Sequence, residues 1–281
     1  MTDPAPPAIA GVETFVIHPG GLGTGLRISI ARPAARWGRG EPVGPVSVVF
    51  LTDADYAFGT VVEASRLGQF GAEVGPMVVV GIGYADERGD YAFVEQRRGI
   101  DFYRGPRRSL EVPGLGSLEI GGADAFLAAL LDTVAPEVER RAPETAGARR
   151  ILIGMSAGGH FAAHVLTQRP DAFQGYALLS PALFDPWPAA GDEQLVEAVR
   201  ALPSGAIPSD TTVFLSAGGC EEEPGNPLAV GAIISNVYRM RAALAAQGVT
   251  TELAVFAGET HNSSLGVGAT RALRVLVPPG R

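Results

Sequence analysis

The chain has 281 residues, 46% of them hydrophobic and 19% charged, a composition that buries a sizeable core and excludes a disordered chain. Its net charge of −8 opposes a phosphate backbone and argues against nucleic acid as a partner. The single cysteine, Cys220, excludes an internal disulfide; with no apolar run of membrane-spanning length and neither a basic nor an apolar segment at the start, a soluble cytoplasmic protein is expected.

Residues 1–11, rich in Pro and Ala, read as a disordered lead-in to a single domain over 12–281. Residues 12–17 and 26–31 predict two strands around a glycine-rich turn that lacks the GxGxxG spacing of a nucleotide site. After a Pro/Gly/Arg loop over 32–45, a strand at 46–51 leads through Asp53-Ala54-Asp55-Tyr56 to a helix over 58–70, and 77–82 is a fully apolar strand. Residues 83–120 read as a long irregular stretch, and 123–140 as an amphipathic helix. Further strands are expected at 151–153, 176–179, 212–216 and 253–256, with a helix over 228–247 between the last two. Apolar strands alternating with helices predict an α/β fold, a mostly parallel sheet covered on both faces, with an antiparallel N-terminal edge where no helix intervenes.

The chemistry concentrates after the strand at 151–153. Gly154-x-Ser156-x-Gly158 stands between that strand and an apolar helix, the context of a nucleophile elbow. A serine thrust out on so tight a turn brings strand and helix too close for side chains two residues to either side. Serine then needs a base and a group to orient it. Of the four histidines, His18 belongs to the early hairpin, and His160 and His164 lack the glutamate and third ligand of a zinc site, so no metal is expected. His261 follows the last strand, at the strand-end rim where Ser156 also falls. The acid should follow the preceding strand, where Glu221-Glu222-Glu223 lies; Glu221 is nearest the strand end, with Glu259 and Asp185 as substitutes. For the oxyanion hole, backbone N–H groups are expected from Ala157 and from the loop at Asp53–Tyr56, where Asp53 and Asp55 could equally cap the following helix.

Assembled in order, these residues resemble the Putative esterase (esterase D-like) family of the α/β-hydrolase superfamily, above all its enterobactin and salmochelin trilactone esterases. The likeness runs from about residue 45 to the C-terminus. It rests on Phe50-Leu51-Thr52-Asp53-Ala54-Asp55, Val80-Gly81-Ile82-Gly83-Tyr84, Arg97-Arg98-x-x-Asp101, Gly121-Gly122-Ala123-Asp124-Ala125-Phe126-Leu127, Ser180-Pro181-Ala182-Leu183-Phe184, Gly218-x-x-Glu221 and Gly258-Glu259-x-His261. The resemblance implies an α/β-hydrolase fold, a triad of Ser156, Glu221 and His261, and an oxyanion hole from the N–H groups of Asp55 and Ala157. Ala54 departs from the family's glycine, and its aromatic pair is reduced to Phe184 and Asp185 with Trp187 close behind, which makes Phe184 and Trp187 candidate substrate contacts.

The expected activity is hydrolysis of a carboxylic ester through an acyl-enzyme, without a cofactor. Acyl transfer or thioester hydrolysis by the same triad is one alternative, and a non-catalytic binding protein on this fold is another. Arg97, Arg98, Arg104, Arg107 and Arg108 lie after the 77–82 strand and so leave the sheet at the rim of Ser156. Arg97 and Arg98 are therefore candidate contacts for an anionic or catechol-bearing acyl group, the resemblance placing that segment near the substrate; the bland reading is a solvated loop whose arginines pair with Asp86, Glu87, Asp90, Glu95 and Asp101 nearby.

Overall fold

Strands apolar on both faces need cover on both faces, and the computed structural model supplies it with helices on either side of one eight-stranded sheet. It describes residues 9–34, 45–86, 90–112, 116–183 and 195–279. The sheet opens with an antiparallel pair, β1 (Val12–Ile17) and β2 (Leu26–Ala31), and β2 runs antiparallel to β4 (Met77–Tyr84). From β4 onward β3 (Ser47–Leu51), β7 (Arg149–Met155), β8 (Gly175–Leu179), β9 (Thr212–Gly218) and β10 (Thr250–Phe256) follow side by side in parallel. The expected antiparallel N-terminal edge and parallel body are both present.

Period-two alternation divides the core into two layers. Val48, Phe50 and Leu152 face the layer that holds Phe161 and Val165 of α5 (Ala157–Gln168). Val49, Leu51, Ile151 and Ile153 face the other, where they meet Val61 of α1 (Ala54–Phe70) and Leu273 of α8 (Ser264–Leu276). Among the described residues no helix is long and apolar enough to cross a membrane.

The region expected to be irregular instead forms regular elements among its described residues. It contains α2 (Tyr91–Phe102), started by the Asp90 carboxylate accepting from Ala92 N–H at 2.9 Å, and a hairpin of β5 (Arg108–Val112) and β6 (Gly116–Ile120). Its apolar periodicity is hidden because the buried face of α2 carries Arg97 and Asp101, an ion pair one turn apart at 2.7 Å, beside Val94, Ile100 and Phe102. The helix expected over 123–140 is α3 (Ala123–Ala129), a π-turn over Leu130–Val134 and α4 (Ala135–Arg141). Pro136 accounts for the break, since it offers no N–H to the turn before it and its ring crowds the carbonyl there. α1 begins at Ala54, directly after β3. Past β8 come α6 (Leu195–Arg200) and α7 (Ile233–Ala246), and α6 and α8 had no counterpart in the sequence reading.

Candidate active site

The turn between β7 and α5 is built as its glycines require. A Cβ on Gly154 would stand 2.1 Å from Gly158 O, and one on Gly158 would stand 1.9 Å from Asp53 Oδ2. Ser156 between them has φ 56° and ψ −115°, a strained conformation for a residue with a side chain. Three backbone bonds hold it: Ser156 N–H donates to Leu179 O (2.9 Å), while His160 N–H and Ala182 N–H both donate to Ser156 O (3.0 Å each). His160 N–H is thus the first donor used within α5, so the first-turn N–H groups of Ala157, Gly158 and Gly159 have no acceptor inside the helix. This end of the helix favours negative charge beside Ser156.

His261 lies in the loop after β10, its carbonyl accepting from Ser264 Oγ at 2.8 Å. Its Nδ1 faces Glu221 Oε1 at 3.3 Å. Glu221 follows β9, is fully buried, and its Oε1 also accepts from Gly218 N–H at 3.2 Å. The neighbouring acids are used otherwise. Glu222 accepts from Ser235 N–H (2.6 Å) and Oγ (2.9 Å) in the first turn of α7, and Glu223 is exposed. The three consecutive carboxylates therefore separate into one that meets the imidazole, one that caps a helix and one in solvent.

Ser156 and His261 open on one cavity of about 540 Å³, walled also by Tyr56, Glu95, Arg98 and Leu228. A larger, more open depression of about 710 Å³ lies at the other end of the sheet, around Arg149 and Asp210, and contains none of these residues.

Asp53 is the residue the sequence reading undervalued. Its side chain makes no cap to α1; buried at 3% exposure, it turns to the elbow and accepts from Met155 N–H (2.8 Å), Arg98 Nε (2.9 Å) and Thr52 Oγ1 (3.2 Å). It thereby fixes the residue immediately before the serine. Asp55 turns away from the cavity, pairing with Arg27 and accepting from Tyr84 N–H at 3.0 Å; its own N–H and that of Ala54 lie in the first turn of α1 without an acceptor there.

The two arginines of the Arg97-Arg98 segment part company. Arg97 points inward, bonded to Asp101 (2.7 and 2.8 Å) and Leu22 O (3.0 Å), and does not line the cavity. Arg98 does line it, but as a held group: besides Asp53 it donates to Met155 O (3.3 Å) and to both oxygens of Glu95 (2.9 and 3.1 Å), and it lies over the Tyr56 ring at 5.2 Å. Burial works against its charge, but Asp53 and Glu95 outweigh that and hold its pKa above the usual value. The pairings of the bland reading hold for Arg97 with Asp101 and for Arg98 with Glu95, but its solvated loop does not: both arginines lie on α2 with side chains largely buried. Phe184, Asp185 and Trp187 lie outside the described residues, as do residues 1–8 of the lead-in.

His160 and His164 look to different partners. His160 Nδ1 bonds Ala182 O at 2.8 Å and its burial lowers the pKa to about 3; His164 Nε2 bonds Asp124 at 2.8 Å, and burial lowers its pKa too. His18 is exposed, in the turn after β1.

The model of the family described as Putative esterase matches residues 22–265. Ferri-bacillibactin esterase BesA of Bacillus subtilis is 29% identical over 277 residues, spanning 96% of this chain and 91% of its own. The siderophore triacetylfusarinine C esterase of Aspergillus fumigatus is 30% identical over 145 residues, 50% of this chain and 46% of its own. Among solved structures, the BES protein from Bacillus cereus superposes with a TM-score of 0.78 at 22% identity, over 98% of this chain and 99% of that one. Siderophore hydrolase EstB from Aspergillus nidulans gives 0.77 at 21%, over 98% and 97%. These superpositions agree with the sheet order and the elbow in assigning an α/β-hydrolase fold. With a family model that spans most of its length and includes Ser156, Glu221 and His261, this chain is a member of the Putative esterase family.

Proposed function

We propose that this carboxylic ester hydrolase opens its substrate through an acyl-enzyme on Ser156, with His261 as base and Glu221 as the acid that orients it. The observation that carries the reading is the fully buried Glu221 carboxylate 3.3 Å from His261 Nδ1, in a molecule where His261 shares one cavity with a serine on a strained elbow. Glu221 keeps the proton on Nδ1, leaving Nε2 as the acceptor. As Ser156 Oγ attacks the ester carbon, its proton passes to Nε2; the carbonyl oxygen takes up the charge, stabilised by the N–H groups of Ala157 and Asp55. Collapse of that intermediate expels the alcohol, which takes the proton from His261. A water then repeats the sequence on the acyl-enzyme and frees the acid.

For substrate the reading is a siderophore-type ester, in line with the named activities of the relatives. The finer expectation of a catechol-bearing or anionic acyl part divides in two. Its aromatic half is supported by Tyr56, stacked on Tyr91 at 5.3 Å and lining the cavity. Its anionic half rests on Arg98 alone. The test is hydrolysis of aryl esters and ferric trilactones together with fluorophosphonate labelling. Ser156→Ala should abolish labelling and lower kcat on the order of 10⁴-fold with the fold retained. A folded Ser156→Ala with wild-type turnover would refute the mechanism.

A further inference from the structure

The cavity of Ser156 and His261 is walled by charged side chains that the triad does not use. Among the described residues of that cavity's wall Arg98 is the arginine, and its nitrogens are not equivalent. Nε is held from behind by Asp53, whose side chain is 2% exposed, and Nη2 by Met155 O, so the guanidinium plane is fixed against the elbow. Nη1 points the other way, and there both oxygens of Glu95 meet it, with Tyr56 O–H donating to Glu95 Oε1 at 2.7 Å. The Glu95 side chain is 57% exposed, against 11% for Arg98. One carboxylate is buried in protein and the other is open to solvent on more than half of its surface, with the guanidinium between them.

We propose that Glu95 is the specificity-determining residue of this site: it occupies, on Arg98, the place an anionic acyl substituent would take, and so sets the cavity for esters whose acyl part carries no charge. This deepens the esterase reading above and rests on it. The charge count supports it, for among the described residues of the wall Asp53 and Glu95 with one arginine give a net −1, within a chain of net −8. A carboxylate or catecholate entering the cavity must either lie beside Glu95 and be repelled, or displace it from Arg98 and Tyr56 together. An uncharged group meets neither obstacle and finds Tyr56, Leu228 and Leu265 as apolar surface and Asn262 as a neutral polar partner. Exposed ion pairs are individually weak, so Glu95 acts as a replaceable cover and the cation beneath it as a latent anion site.

The experiment compares para-nitrophenyl butyrate with para-nitrophenyl hemisuccinate, alike in length and differing in one terminal charge, on wild type, Glu95→Gln and Glu95→Ala. Glu95→Gln keeps an acceptor for Tyr56 O–H while removing the charge. The wild type should favour the neutral ester, and the ratio of kcat/KM for anionic over neutral ester should rise about five- to tenfold in both variants. High salt should narrow the wild-type preference, because it screens repulsion from an exposed group. A ratio unchanged in both variants, or a wild type that already prefers the hemisuccinate, overturns the assignment of Glu95 and leaves the esterase reading standing. If the folded wild type turns over neither ester nor any ferric trilactone, and is not labelled by fluorophosphonate, the esterase reading fails and the role of Glu95 fails with it.

Discussion

Replacing Gly154 by alanine tests the elbow more severely than removing the serine. The new Cβ would lie 2.1 Å from Gly158 O and 2.3 Å from Gly158 C, where ordinary contact begins at 3.4 Å. The obstacle is backbone in the first turn of α5, so no side chain can step aside, and β7 and α5 must part by about 1 Å. Overpacking of this kind generally costs about 1–3 kcal/mol, and a backbone obstacle puts Gly154→Ala at about 3 kcal/mol or above. Because displacements near 1 Å at a reacting group cost roughly 100-fold, kcat should fall at least that much even where the protein folds. Gly158→Ala is nominally tighter, 1.9 Å from Asp53 Oδ2 and 2.6 Å from Thr52 Oγ1, but both obstacles are side chains. Shortening Asp53 should therefore change the two variants differently. In urea unfolding and para-nitrophenyl ester turnover, Asp53→Ser should offset part of the loss in Gly158→Ala and none of that in Gly154→Ala. A Gly154→Ala protein within about 0.5 kcal/mol of wild type, and fully active, would refute the packing argument.

The three adjacent glutamates should give three different outcomes as Gln variants. Glu221→Gln should lower kcat by about 10³- to 10⁴-fold, since it disturbs the tautomer of His261; Glu222→Gln should cost about 1 kcal/mol of stability through Ser235 with kcat kept; Glu223→Gln should do neither. Burial keeps His160 neutral down to about pH 3, below its ordinary 6.5. The unfolded chain binds the extra proton between these values, so stability should be full above pH 6.5 and decline toward pH 3, by up to roughly 1.4 kcal/mol per unit. Replacing His160 by Gln should flatten that slope in urea titrations across the window. Arg97→Met leaves Asp101 buried without its partner and should cost about 3 kcal/mol in urea unfolding, without altering the ratio of rates on anionic and neutral esters.

What the sequence made legible follows from how the signals are carried. The parallel body was readable because Ile151-Leu152-Ile153 and the other central strands are apolar on both faces, and the nucleophile because only glycines fit beside it. His261 and Glu221 could be placed because each stands just past a strand end, and strand ends converge in a parallel sheet. Helix α2 was hidden by the chemistry that makes it useful: Arg97 and Asp101 neutralise each other inside the protein, and read singly they look like surface residues. Asp53 was hidden for a related reason, since an aspartate one residue before a helix looks like a cap until Met155 and Arg98 appear beside it in space. Glu95 entered the reading only as a counter-ion; its position at the mouth depends on how α2 docks against the elbow, which local pattern does not encode. Helix α8 has two glycines among its first residues, and these poor helix formers disguise its start although its apolar face covers the sheet.

The sheet order has a kinetic side. Among the described residues β10 bonds to β9 on one edge and has no strand on the other, and its residues are less buried than those of the central strands. The loop that carries His261 hangs from this outermost strand, while Ser156 sits on β7 near the middle. Strands at a sheet's border open more readily than those inside it, so β10 and the loop that carries His261 can open locally while the remaining seven strands stay paired and α8 keeps its packing on α1, β8 and β9. Under rising denaturant the hydrolytic signal should then disappear before the far-ultraviolet signal of the sheet, and amide exchange in β10 should outpace that in β7. During synthesis His261, the proposed base, also emerges some forty residues after Glu221, the proposed acid, so on this mechanism a nascent chain holds Ser156 inert until its last strand has docked.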